Sequence, residues 1–138
     1  PKALDYHQKR LEIMTKLHGE DSKEVAGVLH SMAKVHVELS DCPKALGCWE
    51  KSLAILTQLG DEKGRAFHYL LECIAYALSE IAQSHERRAQ WLEAESYWRR
   101  LLELGIDDTW APQKAREGLN RVLREQGRFA EANAIAAS

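Results

Sequence analysis

Charge of one sign, paired cysteines and long apolar runs are all scarce in this chain of 138 residues. The 19 basic and 21 acidic residues leave a net charge of −2, which is too small to draw the protein to nucleic acid or an anionic membrane. The longest apolar stretch, Phe67 to Ala82, is interrupted by Glu72 and Glu80 and falls short of the roughly 20 residues that a membrane helix needs. We therefore expect no binding to nucleic acid or membrane.

The three cysteines, Cys42, Cys48 and Cys73, follow no CxxC spacing. An odd number without a disulfide framework is typical of a reducing compartment, so we expect buried apolar thiols and a cytoplasmic protein. The chain begins at Pro1 with no Met and no signal-peptide pattern. We expect it to be a piece of a longer protein or a processed chain.

Motifs that carry catalysis or metal binding are also missing. The six histidines form no HxxxH or HExxH motif, and the eight glycines form no phosphate-binding loop. His68 and Cys73 lie five residues apart, which does not place them on one helix face. We predict no catalytic residue, metal site or cofactor, and no enzymatic activity. An enzyme would require a deep pocket that pairs Cys73 or a histidine with a second titratable group.

Helical periodicity is present along nearly the whole chain, and no segment alternates as a strand would. Ser22 and Pro43 mark helix starts, and Asp107-Asp108-Thr109 predicts the cap of a later helix. The predicted helix ends lie at Gly19, Gly60, Gly105 and Gly127. These signals predict an all-α fold of about seven antiparallel helices.

Three segments share one pattern, in which a position for a small residue in one helix, occupied by Asn120 in the last segment, lies twelve positions before an alanine of the next helix. The pairs are Ala33 and Ala45, Ala82 and Ala94, and Asn120 and Ala132. Trp49 and Trp98 each follow the second alanine by four positions. Small residues let paired helices approach closely, and we expect the two tryptophans to belong to the core.

This pattern resembles the tetratricopeptide repeat (TPR), whose signature W-x2-L-G-x2-Y is followed by A-x3-F. Residues 91–94 and 126–132 look like the family's turn and second-helix start, and residues 17–26 resemble the long-turn variant found in kinesin light chains. The resemblance covers the whole chain. It implies a right-handed α-α superhelix, a TPR solenoid, that binds other proteins along a concave groove.

We predict a single array over residues 1–138. Its parts are the second helix of a preceding repeat (1–19), one repeat (22–60), a repeat with an extended first helix (62–105) and a C-terminal repeat (108–138). The step from Ala45 to Ala94 is seven residues longer than the step from Ala3 to Ala45. Because seven residues equal about two helical turns, we predict that the fourth helix is lengthened by two turns rather than broken by a loop.

The resemblance also implies that first helices line the groove. The matching positions, and so the candidate partner-binding residues, are His30, Lys34, Val37, Tyr76, Ser79, Gln83, Glu86, Lys114, Glu117, Arg121 and Arg124. A groove with Lys34, Arg121 and Arg124 could hold an acidic or carboxylate-bearing peptide. The Asn-rich pattern of the carboxylate clamp that binds chaperone tails is missing, so the class of ligand stays open.

We predict a protein–protein interaction module, part of a scaffold or adaptor, that binds a peptide or helix of a partner in this groove. The alternative is an architectural or self-association segment of a larger multidomain protein, which packs against other domains of that protein or self-associates through its terminal helices.

Overall fold

The computed structural model describes residues 2–137, which contain seven α-helices and no strand. The helices are α1 (Lys2–His18), α2 (Lys23–Glu38), α3 (Cys42–Gln58), α4 (Arg65–Arg87), α5 (Trp91–Glu103), α6 (Ala111–Glu125) and α7 (Phe129–Ala137). The prediction of an all-α fold is confirmed. The residues form two compact units, 1–74 and 75–138, which we call the N-terminal unit and the C-terminal unit.

Local signals in the sequence set the helix boundaries. The Ser22 side chain accepts a hydrogen bond from Val25 N at 3.2 Å, and Asp41 accepts one from Lys44 N at 3.3 Å. Of the three residues predicted to cap α6, Thr109 accepts a bond from Ala111 N at 3.2 Å. The glycines predicted at helix ends, Gly19, Gly60, Gly105 and Gly127, all have positive φ. A left-handed residue just past a helix is easiest for glycine, because it has no Cβ.

In the N-terminal unit, α2 packs against both α1 and α3. Val28 and Ala33 of α2 and Ala45 and Trp49 of α3 are all buried, as the alanine pattern predicts. The Ser52 hydroxyl, also buried, donates a hydrogen bond to Ala26 O at 2.9 Å and so ties α3 to α2. By contrast, α1 has no buried residue.

In the C-terminal unit, α6 packs against α5 and α7. Trp98 of α5 is fully buried and is in close contact with Gly118 of α6. A Cβ added at Gly118 would lie less than 3.0 Å from three atoms of the Trp98 indole. The indole therefore occupies the space that a side chain at position 118 would need.

The fourth helix is longer than the second. It is one continuous helix of 23 residues, whereas α2 has 16, a difference of seven. Aligning Ala82 with Ala33 places the seven additional residues at the start of α4, over positions 65–71. The helix begins at Arg65, three residues after the predicted start of its repeat at residue 62.

The cysteines are less buried than expected. Among the described residues no disulfide joins Cys42, Cys48 or Cys73, and each is half-buried, because Cys42 begins α3 and the other two lie on partly exposed helix faces. Partial burial is still sufficient to raise the pKa of Cys48. The expectation of fully buried thiols is therefore wrong.

We expect Gly118→Ala to lower the free energy of unfolding by about 1–3 kcal/mol, because the new methyl group overlaps the Trp98 ring. Gly47→Ala is the matched control, since Gly47 also lies inside a helix but has open space around its Cβ position. The control should gain about 0.5–1 kcal/mol from better helix propensity. Urea unfolding followed by circular dichroism measures both, and equal effects would contradict this packing.

Candidate functional site

A cavity of about 310 Å³ lies in the N-terminal unit between α2 and the start of α4. Most of its lining is apolar or small, and two aromatic rings, those of His30 and Tyr69, border it. The lining residues are Lys23, Ala26, Gly27, His30, Leu56, Asp61, Ala66, Tyr69 and Leu70.

The extension of α4 forms one wall of this cavity. All the α4 residues that line it, Ala66, Tyr69 and Leu70, lie within positions 65–71. A first helix of the length of α2, aligned at Ala82, would begin at position 72, after all three residues. The additional two turns therefore supply a surface that the shorter repeat lacks.

His30, the one predicted partner-binding residue in the cavity lining, is fixed by two aromatic neighbours. Trp49 Nε1 donates a hydrogen bond to His30 Nδ1 at 2.9 Å, and the Tyr69 ring lies edge-on to the imidazole at 5.3 Å between centroids. An indole N–H can only donate, so Nδ1 accepts and the proton of the neutral ring is on Nε2. Within residues 2–137, Nε2 has no hydrogen-bond partner.

The environment of His30 favours the neutral ring. Burial lowers the pKa of His30 below its usual value of 6.5, and the positive charge of Lys34 lowers it further. Protonation would also place a hydrogen on Nδ1 and break the bond from Trp49. Near neutral pH the ring is therefore neutral and carries its proton on Nε2.

The charged groups of the cavity compensate each other. Lys23 Nζ lies 3.8 Å from Asp61 Oδ2, so this pair contributes no net charge. The remaining lining residues are uncharged when His30 is neutral. The cavity consequently favours a neutral, mainly apolar occupant.

Cys73 lies one turn beyond Tyr69 on α4. Burial raises the pKa of Cys73, and this outweighs the opposing effects of a hydrogen bond with Tyr69 and the charge of Lys34. The thiol is therefore protonated near neutral pH. A nucleophilic cysteine needs thiolate character, which this environment opposes.

In the C-terminal unit, two of the predicted residues bind each other. Arg121 donates to Glu86 from Nε at 3.0 Å and from Nη2 at 3.2 Å, and Trp98 Nε1 donates to the same carboxylate at 2.9 Å. The hydrogen bond with Glu86 raises the pKa of Arg121. The charge of Arg121 is thus already compensated within the unit, which weakens the expectation that it holds an acidic ligand.

The other predicted residues have varied surroundings. Arg124 donates to the neutral side chains of Asn120 at 2.8 Å and Asn133 at 2.6 Å, so these bonds leave its charge uncompensated. Ser79 is only 2% exposed, so its hydroxyl is not accessible to a ligand. The Lys114 ammonium lies over the Trp110 ring, and the Glu117 carboxylate accepts a hydrogen bond from Gln113. Tyr76 is exposed and Val37 is half-buried. Gln83 Nε2 is buried and has no hydrogen-bond partner among the residues described.

Sequence reasoning found His30 but missed other residues of the cavity lining. Gly27, Ala66, Tyr69 and Leu70 match no position of the repeat signature. The signal that could have found three of them is the seven-residue excess in the repeat period. An insertion that keeps helical phase adds helix surface, and that surface must face either solvent or a neighbouring helix.

Over residues 2–137, no cluster of three or more His, Cys, Asp or Glu side chains has the geometry to hold a metal ion. In the same part of the chain, no helix combines the length and apolar character needed to cross a membrane.

The chain is similar to known proteins in structure but not in sequence. No protein-family profile matches it, and no curated protein matches it by sequence. Among solved structures it is similar to BtubC (BKLC) from P. vanneervenii, a kinesin light chain-like TPR protein, with a TM-score of 0.52 and 18% identity. The match covers 97% of this chain and 52% of that one. The chain has a TPR-like helical repeat fold. It spans about half the length of BtubC.

The His30–Trp49 hydrogen bond predicts a loss of stability in acid. Folding lowers the pKa of His30, so as the pH drops the unfolded chain protonates this ring at a higher pH than the folded chain does. The free energy of unfolding therefore falls as the pH decreases from 6.5, the pKa of the unfolded chain, through the lower pKa of the folded chain. Chemical unfolding at about pH 7.5 and about pH 5.5 measures this fall.

The matched variants are His30→Gln and His36→Gln. The amide that His30→Gln introduces keeps an acceptor for Trp49 but does not titrate, so we expect a smaller fall with pH in this variant. His36→Gln should behave like the parent chain. An unchanged fall in His30→Gln would show that another group causes it.

Proposed function

We propose that the chain is a protein–protein interaction module, part of a scaffold or adaptor rather than an enzyme, and that its first helices bind a peptide or helix of a partner. The supporting observation is the cavity of the N-terminal unit. It lies on the face of α2 that carries His30, it is largely apolar, and the exposed Tyr69 borders it. Sites that bind ligands commonly combine apolar walls with a few fixed polar groups.

The cavity, together with an exposed lysine one turn from His30, favours the N-terminal unit among the candidate faces. Lys34, one turn from His30 on α2, is exposed and forms no ion pair with a residue of the described chain. Arg121, in contrast, is bound to Glu86. We therefore propose that His30, Lys34 and Tyr69 are the residues that a partner contacts in this unit. We also propose that the protein is cytoplasmic, because no disulfide forms among its three cysteines.

A second candidate function, self-association, is favoured by α1. This helix has no buried residue and exposes Tyr6, Ile13 and Leu17, the last of them 69% exposed. An open cavity of about 500 Å³ lies beside it, between Leu11 and Thr15 of α1 and Ile55 of α3. Under this proposal a second copy of the chain covers the apolar face of α1.

Two matched tyrosine variants separate these functions. Tyr69→Glu adds a negative charge beside the cavity, and Tyr6→Glu adds one to α1; the two tyrosines are 49% and 62% exposed. Both variants and the parent chain are used as bait in a pull-down from cell extract, with light scattering for mass and circular dichroism for folding. We expect Tyr69→Glu to lose a partner that the parent and Tyr6→Glu both retain.

The opposite result would support the second candidate. If the parent is a dimer, Tyr6→Glu is a monomer and Tyr69→Glu changes no interaction, α1 is the functional surface. If neither folded variant changes any interaction, the proposal that the first helices bind a partner is wrong.

A further inference from the structure

The cavity of the N-terminal unit has the size of a site for one bulky side chain. Its volume of about 310 Å³ lies at the lower end of the roughly 300–1,000 Å³ found for small-molecule sites. Ala26, Gly27 and Ala66 contribute only small side chains or none. Leu56 and Leu70 add apolar surface. A single large apolar group would therefore bury most of its area there.

The polar groups at the cavity indicate the charge and the hydrogen-bonding group that the occupant must have. The paired charges of Lys23 and Asp61 leave no unbalanced charge in the lining. His30 is held by Trp49 with Nδ1 as acceptor, so its other nitrogen is a donor without a partner in the described chain. A buried or half-buried donor is stabilised by an acceptor. The neutral acceptor that accompanies every side chain of a peptide is a backbone carbonyl oxygen.

We propose that this cavity anchors one bulky apolar side chain of a bound peptide, and that His30 Nε2–H donates a hydrogen bond to a carbonyl oxygen beside that side chain. The inference rests on the proposed function and names the ligand chemistry of the same face. The α4 extension, through Ala66, Tyr69 and Leu70, is the element that creates the anchor site. His30 is its specificity-determining residue, since a neutral donor favours a peptide carbonyl over a cation.

Capped amino acids test this without knowledge of the partner. The probes are N-acetyl-phenylalaninamide and N-acetyl-leucinamide, which carry an apolar side chain and two carbonyls, and N-acetyl-glycinamide, which carries the carbonyls alone. Each is titrated into isotopically labelled chain and followed by the NMR signals of the Gly27 and Ala66 amides and the His30 ring. We expect saturable shifts with the first two probes and none with the glycine probe.

Gly27→Leu and Gly47→Leu are the matched variants. A Cβ at either position meets nothing within 4 Å, so both variants should fold, but only Gly27 lines the cavity. We expect Gly27→Leu to weaken binding of the phenylalanine probe by at least about tenfold, because the leucine occupies the same space. Gly47→Leu should bind as the parent does.

The role of His30 is tested by one disruptive and one conservative substitution. His30→Phe keeps an aromatic ring but cannot donate, and we expect about a fivefold to tenfold loss in affinity for the phenylalanine probe, corresponding to one hydrogen bond. His30→Gln retains both an acceptor for Trp49 and a donor, so it should restore much of the binding. Equal binding by all three proteins would overturn the role of His30.

The remaining outcomes separate this inference from the proposed function. Absence of saturable shifts in the parent chain, or equal binding by Gly27→Leu, overturns the anchor site. If a partner is nevertheless lost in Tyr69→Glu, the proposed function stands and only the anchor is wrong. If the probes bind but no partner depends on Tyr69, the cavity binds small ligands and the proposed function is wrong.

Discussion

Close approach of paired helices at small residues is the constraint on which the rest of each unit depends. Ala33 and Ala45 in the N-terminal unit, and Ala94 and Ala115 in the C-terminal unit, have no exposed surface. Because such residues add little bulk, neighbouring large side chains must fill the remaining space. Trp98 against Gly118 is the tightest example. Trp49 and Trp98 also donate hydrogen bonds from their indole N–H groups. Trp49 donates to His30 and Trp98 donates to Glu86, and both acceptors lie on first helices of repeats.

Those two bonds have different consequences for binding. In the C-terminal unit, the Glu86 carboxylate accepts from both Trp98 and Arg121, so the polar atoms of three elements satisfy one another. In the N-terminal unit, Trp49 satisfies only Nδ1 of His30, and Nε2–H has no partner among the described residues. Trp49 in α3 and Trp98 in α5 occupy the same repeat position. Trp98 belongs to a closed hydrogen-bond network, whereas Trp49 binds a histidine that lines a cavity and retains a donor that is unpaired within the described chain.

Much of the fold follows from local rules that act on neighbouring residues. Helix starts at Ser22 and Asp41 and helix ends at the four positive-φ glycines depend only on a few adjacent positions, so sequence patterns predict them well. The two additional turns of α4 were predictable because seven residues preserve helical phase. The cavity was not, because it depends on the distance between α2 and α4 and on which side of α4 the additional turns present. Likewise, the pairing of Glu86 with Arg121 joins residues 35 positions apart, which no local pattern indicates.

The central claim is that residues 65–71 form a recognition surface and are not merely additional helix. Deleting these seven residues tests it most directly, because the deletion removes Ala66, Tyr69 and Leu70 and keeps the phase of the remaining helix. Binding of a peptide selected on the parent chain is then measured by calorimetry, with circular dichroism and cooperative thermal unfolding to verify the fold. The account predicts a folded, helical protein that no longer binds the peptide. A folded deletion variant that binds with the affinity of the parent would contradict it.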